Sequence, residues 1–279
     1  MRITGRTRLA GIMGSPVSHS RSPALHNFWL DEHGIDGVYV PLPVQPEQLE
    51  RALRALPSLG FRGCNITLPH KEAALSIVDK VDPLANRIGA VNTVIVMPDG
   101  SLEAHNTDAF GFRENLRDCA PDWNPASGAA VVLGAGGSAR AVTAALTELR
   151  VPEIRLVNRT VDRAEALARD LAGLGTRISA HKWDVRGDAL DGAGLLVNTT
   201  SLGMTGAPGL EIDLSLLPLA AVVIDIVYVP LDTPLLAAAR RRGHRTVDGL
   251  GMLLHQGRPG FEAWFGTKVR VTRELRAAV

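Results

Sequence analysis

"VVLGAGGSARAV", residues 131 to 142, decides the fold of half of this chain. An apolar run ends at Leu133, a glycine-rich turn follows, and a helical pattern opens behind it. Glycines in such a turn let backbone N–H groups approach a phosphate, and the next helix presents its positive end to the anion. A lone glycine-rich turn is weak evidence, because tight turns are common. Here a second strand, "EIRLVN" (153–158), follows the helix at the spacing of a β-α-β unit. The stretch therefore reads as a dinucleotide-binding turn, with Gly134, Ala135, Gly136, Gly137, Ser138 and Ala139 against the pyrophosphate.

The end of that second strand names the nucleotide. In an NAD-binding fold an acid usually stands there and binds the ribose hydroxyls. In "LVNRTVDRAEAL" (156–167) no acid directly follows the strand, and two arginines occupy the neighbourhood. Arg159 and Arg163 can clamp a ribose 2′-phosphate with forked donors, and Asn158 and Thr160 add hydrogen-bonding groups. The pattern predicts NADP(H) over NAD(H). The alternative is a plain surface, with Arg163 paired to Asp162 or Glu165.

Working outward, the 279 residues are 46% hydrophobic, enough for one large core or two ordinary ones. The formal net charge of +1 gives no basic excess for nucleic acid and no acidic tail. "ARRRGHR" (239–245) reads as a helix end stopped by Gly243. Cys64 and Cys119 form no CxxC pair, so neither a disulfide framework nor a zinc ribbon is expected, and His19 and His26 lack further ligands at metal spacing. The opening stretch has no apolar leader segment. The longest apolar run, 217–229, is too short to span a bilayer and contains Asp225. A soluble, cytoplasmic protein is expected.

Before the glycine turn, short apolar runs alternate with helical patterns. "TRLAGIMG" (7–14), "GVYVPLPV" (37–44) and "FRGCNITL" (61–68) read as strands, the second an edge because of its prolines. "SPALHNFWLDEHG" (22–34) reads as a helix with Ser22 as cap and Pro23 in its first turn. "PEQLERALRALPSLG" (46–60) places Leu49, Leu53 and Leu56 on one helical face, and "PHKEAALSIVD" (69–79) reads as a helix started by Pro69. A hairpin is expected around Pro98-Asp99-Gly100. After the turn, strands at 194–200 and 220–227, a helix at 233–243 and a short strand at 244–249 follow. "GLGMLLHQGRPGFEAWFG" (249–266) reads as helical but interrupted at Gly-Arg-Pro-Gly. Such alternation favours mostly parallel sheets covered by helices.

Two charged residues stand out. Lys71 falls in the first turn of the helix expected from Pro69, where the positive helix end disfavours a cation and eases release of its proton. A solvated lysine beside Glu72 is the alternative. Asp108 begins a helix at about 107–119, where a carboxylate often merely caps. Ser20 and Ser22 either cap or bind a small anionic group such as a carboxylate.

Together these signals acquire a common meaning. The blocks "GSPVSHSRSPALHN" (14–27), "NITLPHK" (65–71), "IGAVNT" (88–93), "NTDAFGF" (106–112), "GAGGSARA" (134–141), "NRT" (158–160), "NTTSLGM" (198–204), "DIVYVPLDTPLL" (225–236) and "DGLGMLLHQ" (248–256) occur in one order over nearly the whole chain. In these blocks the sequence resembles the NADP-dependent shikimate dehydrogenase family of aromatic amino-acid biosynthesis. The N-terminal blocks are highly specific, whereas the glycine turn is not.

The resemblance implies a two-domain α/β fold with a cleft between the domains. An N-terminal α/β substrate domain with a mostly parallel sheet, residues 1–107, would be completed by 249–279. A Rossmann-like NADP-binding domain would span 108–248. It further implies that Ser20 and Ser22, helped by Tyr228, bind the substrate carboxylate. Asn65, Thr67, Lys71, Asn92, Asp108 and Gln256 would surround the ring hydroxyls, with Lys71 and Asp108 catalytic. Thr199, Ile226, Gly249 and Met252 would lie near the ribose or nicotinamide. The implied reaction is the reversible reduction of 3-dehydroshikimate to shikimate by NADPH. A quinate/shikimate dehydrogenase preferring NAD is the nearest alternative, and Asn158-Arg159-Thr160 argues against it. A non-catalytic nucleotide sensor is another, and Lys71 with Asp108 argues against that. Family members occur as monomers and homodimers, and the sequence does not choose between them.

Overall fold

In the computed structural model the run RLAGIMG forms β1 (Arg8–Gly14), whose last five residues are buried. It pairs in parallel with β2 (Gly37–Pro43) on one side and β3 (Phe61–Ile66) on the other. The hairpin β5 (Thr93–Val96) and β6 (Leu102–His105) adds antiparallel to β3, and the two-residue β4 (Lys80–Val81) closes the edge. The resulting six-stranded sheet, in the order β2-β1-β3-β5-β6-β4, is mixed but mostly parallel. The prolines of β2 sit on an edge strand, where a missing N–H costs no ladder bond. The structure describes residues 3–173 and 175–279. Met1 and Arg2, part of the opening stretch read above for a leader, and Leu174 lie outside the described residues.

One side of this sheet is covered by α2 (Leu49–Ala55) and α3 (Pro83–Ile88). Leu49, Leu53 and Leu56 pack with Met13, Cys64, Ile66, Val94 and Leu102 in one apolar cluster. The helix α3 is started by Asp82, whose carboxylate accepts from Leu84 N and Ala85 N, and stopped by Gly89 in the left-handed region. Elsewhere, α1 (Ser22–Glu32) and the later part of α8 (Leu250–Phe265) supply an aromatic layer. His26 stacks on Tyr39 at 4.1 Å between ring centroids and lies within 6.0 Å of Trp29, Phe261 and Trp264. Trp264 donates its indole N–H to Val94 O at 3.0 Å. A short helix, α9 (Arg273–Ala278), capped by Thr272, ends the chain.

The other sheet has six parallel strands in the order β12-β11-β10-β7-β8-β9. These are β7 (Ala129–Leu133), β8 (Glu153–Asn158), β9 (Arg177–Lys182), β10 (Ala193–Asn198), β11 (Val222–Asp225) and β12 (Arg245–Val247). Counted within the sheet, the order is 3-2-1-4-5-6 read from β9, the doubly wound arrangement of a Rossmann-like fold. β7, β10 and β11 are buried along their whole length, which is why each reads as a continuous apolar run. The helix α5 (Gly137–Glu148) buries Ala139, Ala141, Val142, Ala144 and Ala145, small side chains that permit close packing on the sheet. α6 (Val161–Asp170) buries Ala164 and Leu167, and α7 (Pro234–Arg241) buries Leu235, Leu236 and Ala239.

The chain divides into two compact units, one running to Gly111 and resuming at Leu253–Val279, the other Phe112–Met252. The boundaries fall within α4 (Asp108–Cys119) and α8. Among the described residues, no helix is long and apolar enough to cross a membrane.

Three local expectations need correction. Helix α8 runs unbroken through Gly257-Arg258-Pro259-Gly260 instead of turning there. Its glycines are packing positions: a Cβ at Gly257 would lie 2.8 Å from Leu25 Cδ2, and one at Gly260 2.9 Å from the Trp264 ring. Residues 69–79 form no α-helix, only a 3-10 turn at Ala73–Ser76. The Lys71 carbonyl, which a helix would give to Leu75, instead accepts from Val91 N at 2.9 Å. Ser22 is the first residue of α1 and not its cap; Arg21 holds that position and makes no side-chain capping bond to the helix.

His26 gives a test of the aromatic layer. The side chain is fully buried, and neither ring nitrogen has a hydrogen-bond partner. Burial pushes its pKa down to about 3, outweighing the opposing influence of the nearby Asn65 amide. The unfolded chain therefore binds a proton below the usual histidine value that the folded chain refuses, and stability falls as pH drops from there toward about 3. His26→Phe removes this dependence. Its stability relative to the wild type should improve by about 2–3 kcal/mol between pH 6.5 and 4.5, measured by urea unfolding. Parallel pH profiles for the two proteins would refute the assignment.

Candidate active site

Lys71 lies on the loop after β3. That loop is pinned on both sides of it: the His70 ring bonds Val44 O at 2.8 Å through Nε2, and Val91 N reaches the Lys71 carbonyl. No helix end acts on the lysine, so the dipole argument made from sequence has no structural basis. A carboxylate meets it instead. Lys71 Nζ donates to Asp108 Oδ2 at 2.6 Å, with side-chain exposures of 17% and 10%. Charge-assisted bonds of this length are strong, and removal of one partner leaves an uncompensated, half-buried charge.

Asp108 opens α4, yet its carboxylate does not serve as a cap. Its second oxygen, Oδ1, accepts from Asn92 Nδ2 at 2.8 Å. Both oxygens are thus directed, and the plane of the carboxylate is fixed. Asn106 Oδ1 takes the Asp108 backbone N–H at 3.0 Å, the role expected of a residue two positions before a helix start. With one N–H on Asp108, the Lys71 ammonium keeps two further donors for a carbonyl or hydroxyl oxygen.

Asn92 joins the remaining groups. Its Nδ2 also lies 3.2 Å from Gln256 Oε1, and its Oδ1 accepts from Thr107 N at 2.8 Å. Asn65 sits beneath, donating to Asn92 O at 3.0 Å and Thr93 Oγ1 at 3.1 Å while accepting from the Tyr39 hydroxyl at 2.6 Å. Both amide hydrogens of Asn65 are committed, leaving one carbonyl lone pair for a ligand. Ser22, buried, stands beside the Tyr39 hydroxyl, and Ser20 Oγ accepts from Ser22 N at 3.2 Å. Thr67 shares the Lys71 loop, with its methyl against Gly14, and its hydroxyl takes no part in the network. Six expected positions therefore converge through hydrogen bonds in this unit, namely Ser22, Asn65, Lys71, Asn92, Asp108 and Gln256, and Ser20 adjoins them.

In the other unit the expected residues gather at the carboxyl ends of the parallel strands. Gly134 follows β7 with φ +113°, and a Cβ there would lie 2.6 Å from Thr199 Oγ1 on the loop after β10. The two loops flank the point where the strand order reverses, the place where open parallel sheets bind ligands. Thr199 is fixed by two bonds to the Leu133 carbonyl, from its N–H at 2.9 Å and its hydroxyl at 2.6 Å. Ala135 and Gly136 complete the turn, nothing lies within 4 Å of a Cβ built on Gly136, and α5 begins at Gly137 with Ser138 and Ala139 in its first turn.

At the end of β8, Asn158 Nδ2 donates to Thr160 O at 2.8 Å, shaping the turn into α6. Arg159 and Arg163 are exposed. Neither Asp162 nor Glu165 forms a salt bridge with Arg163; Glu165 faces Arg169 at 4.0 Å. Gly249 packs against the Ile226 carbonyl, where a Cβ would come within 2.1 Å, and Met252 is buried. Tyr228 is partly buried on the loop after β11.

One cluster escaped the sequence reading. Asp225, fully buried at the end of β11, accepts from Asn198, Val227 N and Thr233. Its signal was available: an acid inside the apolar run AAVVIDIV is exposed to no solvent and must find donors.

Comparison with known proteins accords with this geometry. The family model for the shikimate dehydrogenase substrate binding domain matches residues 12–94, and that for shikimate / quinate 5-dehydrogenase matches residues 122–201. The shikimate dehydrogenase (NADP(+)) of Paramagnetospirillum magneticum is 60% identical over 277 residues, 99% of each chain. The shikimate 5-dehydrogenase of Thermus thermophilus, solved in complex with NADP(H) and shikimate, superposes with a TM-score of 0.86 at 38% identity, covering 98% of each chain. The quinate dehydrogenase of Corynebacterium glutamicum, solved with NAD, gives 0.90 at 33% identity over 98% of each chain. Matched by one family's models in both of its units, and 60% identical to a full-length member, the chain belongs to the shikimate dehydrogenase family.

Proposed function

We propose that this chain is a cytoplasmic, NADP-dependent shikimate dehydrogenase that reversibly reduces 3-dehydroshikimate to shikimate. The observation that carries the reading is the Lys71–Asp108 pair at 2.6 Å, set in a network that also holds Asn92 and Gln256. A sensor has no need of a half-buried ammonium with two donors left over. A reductase does, because a ketone oxygen that gains charge needs a cation and a proton.

The groups of the second unit fit a phosphorylated dinucleotide. An open glycine turn precedes α5, whose N-terminus favours a pyrophosphate, and two exposed arginines stand at the end of β8 where an acid would read a free ribose. Gly134 to Ala139 would hold the pyrophosphate, Asn158, Arg159, Thr160 and Arg163 the 2′-phosphate, and Thr199, Ile226, Gly249 and Met252 the ribose and nicotinamide. The nicotinamide supplies the hydride when bound. The protein supplies position and charge. Lys71 meets the substrate oxygen, stabilises its negative charge and delivers the proton. Asp108 orients Lys71 through their 2.6 Å hydrogen bond. Ser20 and Ser22 bind the carboxylate, and Asn65, Thr67, Asn92 and Gln256 hold the ring hydroxyls.

Initial rates with shikimate or quinate, each with NADP⁺ or NAD⁺, test the proposal. Strong preference for shikimate with NADP⁺ is expected. Dominant activity with quinate and NAD⁺ would overturn both the substrate and the arginine reading, and NADPH binding without turnover in any combination would make the protein a sensor. Lys71→Ala should lower turnover about 100- to 10,000-fold while NADPH binding stays near the wild-type value. Near-normal turnover would remove Lys71 from the chemistry. For Arg159→Ala, affinity for NADPH should fall about 10- to 100-fold and that for NADH much less. Equal losses for the two nucleotides would show that Arg159 does not read the phosphate.

A further inference from the structure

Among the described residues, the groups that bond the Asp225 carboxylate are all neutral donors. Oδ1 accepts from Asn198 Nδ2 at 2.9 Å and from Val227 N at 3.0 Å, and Oδ2 accepts from Thr233 Oγ1 at 2.7 Å. Asp225, Asn198 and Thr233 are all fully buried. A buried acid held only by neutral donors is costly, and burial pushes its pKa up to about 6 in spite of the three bonds. An apolar residue would fill the same place in the sheet more cheaply. The position of the acid in the hydrogen-bond chain shows what it does there.

The chain of bonds runs from a helix to the nucleotide side of the sheet. Thr233 Oγ1 accepts from Leu236 N at 3.3 Å and so caps α7, while its hydroxyl hydrogen goes to Asp225. Asp225 passes the connection to Asn198 at the end of β10. Asn198 Oδ1 accepts from Thr200 N at 3.0 Å and from the Thr200 hydroxyl at 2.7 Å, and its other amide hydrogen goes to Leu202 O at 3.1 Å. Between these anchors lies Thr199, which faces Gly134 across the strand-order reversal. On the other side of Asp225, Val227 N is taken by the carboxylate and Ile226 N by Asn198 O at 3.1 Å. One carboxylate therefore fixes both the loop after β10 and the loop after β11, relative to each other and to α7.

We propose that Asp225 is a positioning residue for the nucleotide: through Asn198 and Thr233 it sets the loop that carries Thr199 against the glycine turn and, bonded to it, the loop that carries Ile226. The inference rests on the nucleotide reading of that turn. It assigns the Asp225-Asn198-Thr233 triad to cofactor affinity, separately from the Lys71–Asp108 pair.

Thr233 offers the cleanest test, because valine matches threonine in shape but cannot donate to Asp225 or cap α7. NADPH dissociation constants, measured by fluorescence titration without substrate, are compared for the wild type, Thr233→Val, Thr233→Ser and Asp225→Asn, alongside KM values for both substrates. Thr233→Val should raise the NADPH dissociation constant and the nucleotide KM about tenfold, with the shikimate KM within about twofold of the wild type. Thr233→Ser keeps the hydroxyl and should restore the wild-type values. Asp225→Asn should raise the NADPH dissociation constant as Thr233→Val does, since both carboxylate oxygens accept bonds and an amide nitrogen cannot take the Thr233 hydroxyl hydrogen. A folded Thr233→Val protein with a lower melting temperature but an unchanged nucleotide constant would reduce the triad to a structural strut and overturn the proposal. Equal loss of both substrates would overturn it too. Failure of the wild type itself to bind NADPH would instead remove the nucleotide reading on which it stands.

Discussion

A single buried amide organises the substrate side of this protein. Asn92 gives one amide hydrogen to Asp108 and turns the same nitrogen toward Gln256, while its oxygen takes the backbone N–H of Thr107. The carboxylate it directs holds Lys71, a residue 37 positions away in the chain. Without that amide, Asp108 would be free to turn its carboxylate toward the first-turn N–H groups of α4, which is the usual fate of an acid at a helix start. The Lys71–Asp108 pair is therefore a consequence of satisfying buried polar groups. Each donor and acceptor in the cluster has few alternatives, and that restriction sets the geometry.

A different constraint shapes the nucleotide side. Parallel strands end with their loops on one edge, and a reversal in strand order leaves a crevice between two of those loops. Here the crevice lies between Gly134 and Thr199, and its width leaves no room for a side chain at position 134. The positive end of α5 and the exposed arginines after β8 put favourable charge for an anion at two separate points of this unit. Asp225 belongs to the same edge. Its buried carboxylate holds the loops after β10 and β11, which strand pairing alone leaves unfixed beyond Asn198 and Ile226.

Where the sequence misleads, the cause is a tertiary bond that overrides a local preference. Pro69 and the residues after it have the pattern of a helix start, but Val91 captures the carbonyl that helix formation needs. Gly257 and Gly260 around Pro259 look like a turn, but they let α8 approach Leu25 and lie under Trp264, and close packing keeps the helix continuous. β9 escapes notice because an edge strand carries polar and charged residues and lacks an apolar run. The helix α3 is only six residues long, too short for periodicity to register, although Asp82-Pro83 and Gly89 mark its ends.

By itself the sequence determined the parallel strands, the glycine turn, the two arginines after β8 and, through blocks in one order along the chain, the family. A buried parallel strand must be apolar, and a turn that lets backbone N–H groups approach a phosphate must be small. Only the tertiary structure decided that Lys71 is governed by a carboxylate and not by a helix end, and that Asp225 links two loops. Those facts depend on which distant groups meet once water is excluded. Hydrogen-bond partners across 37 or 164 positions leave no periodic trace in the chain.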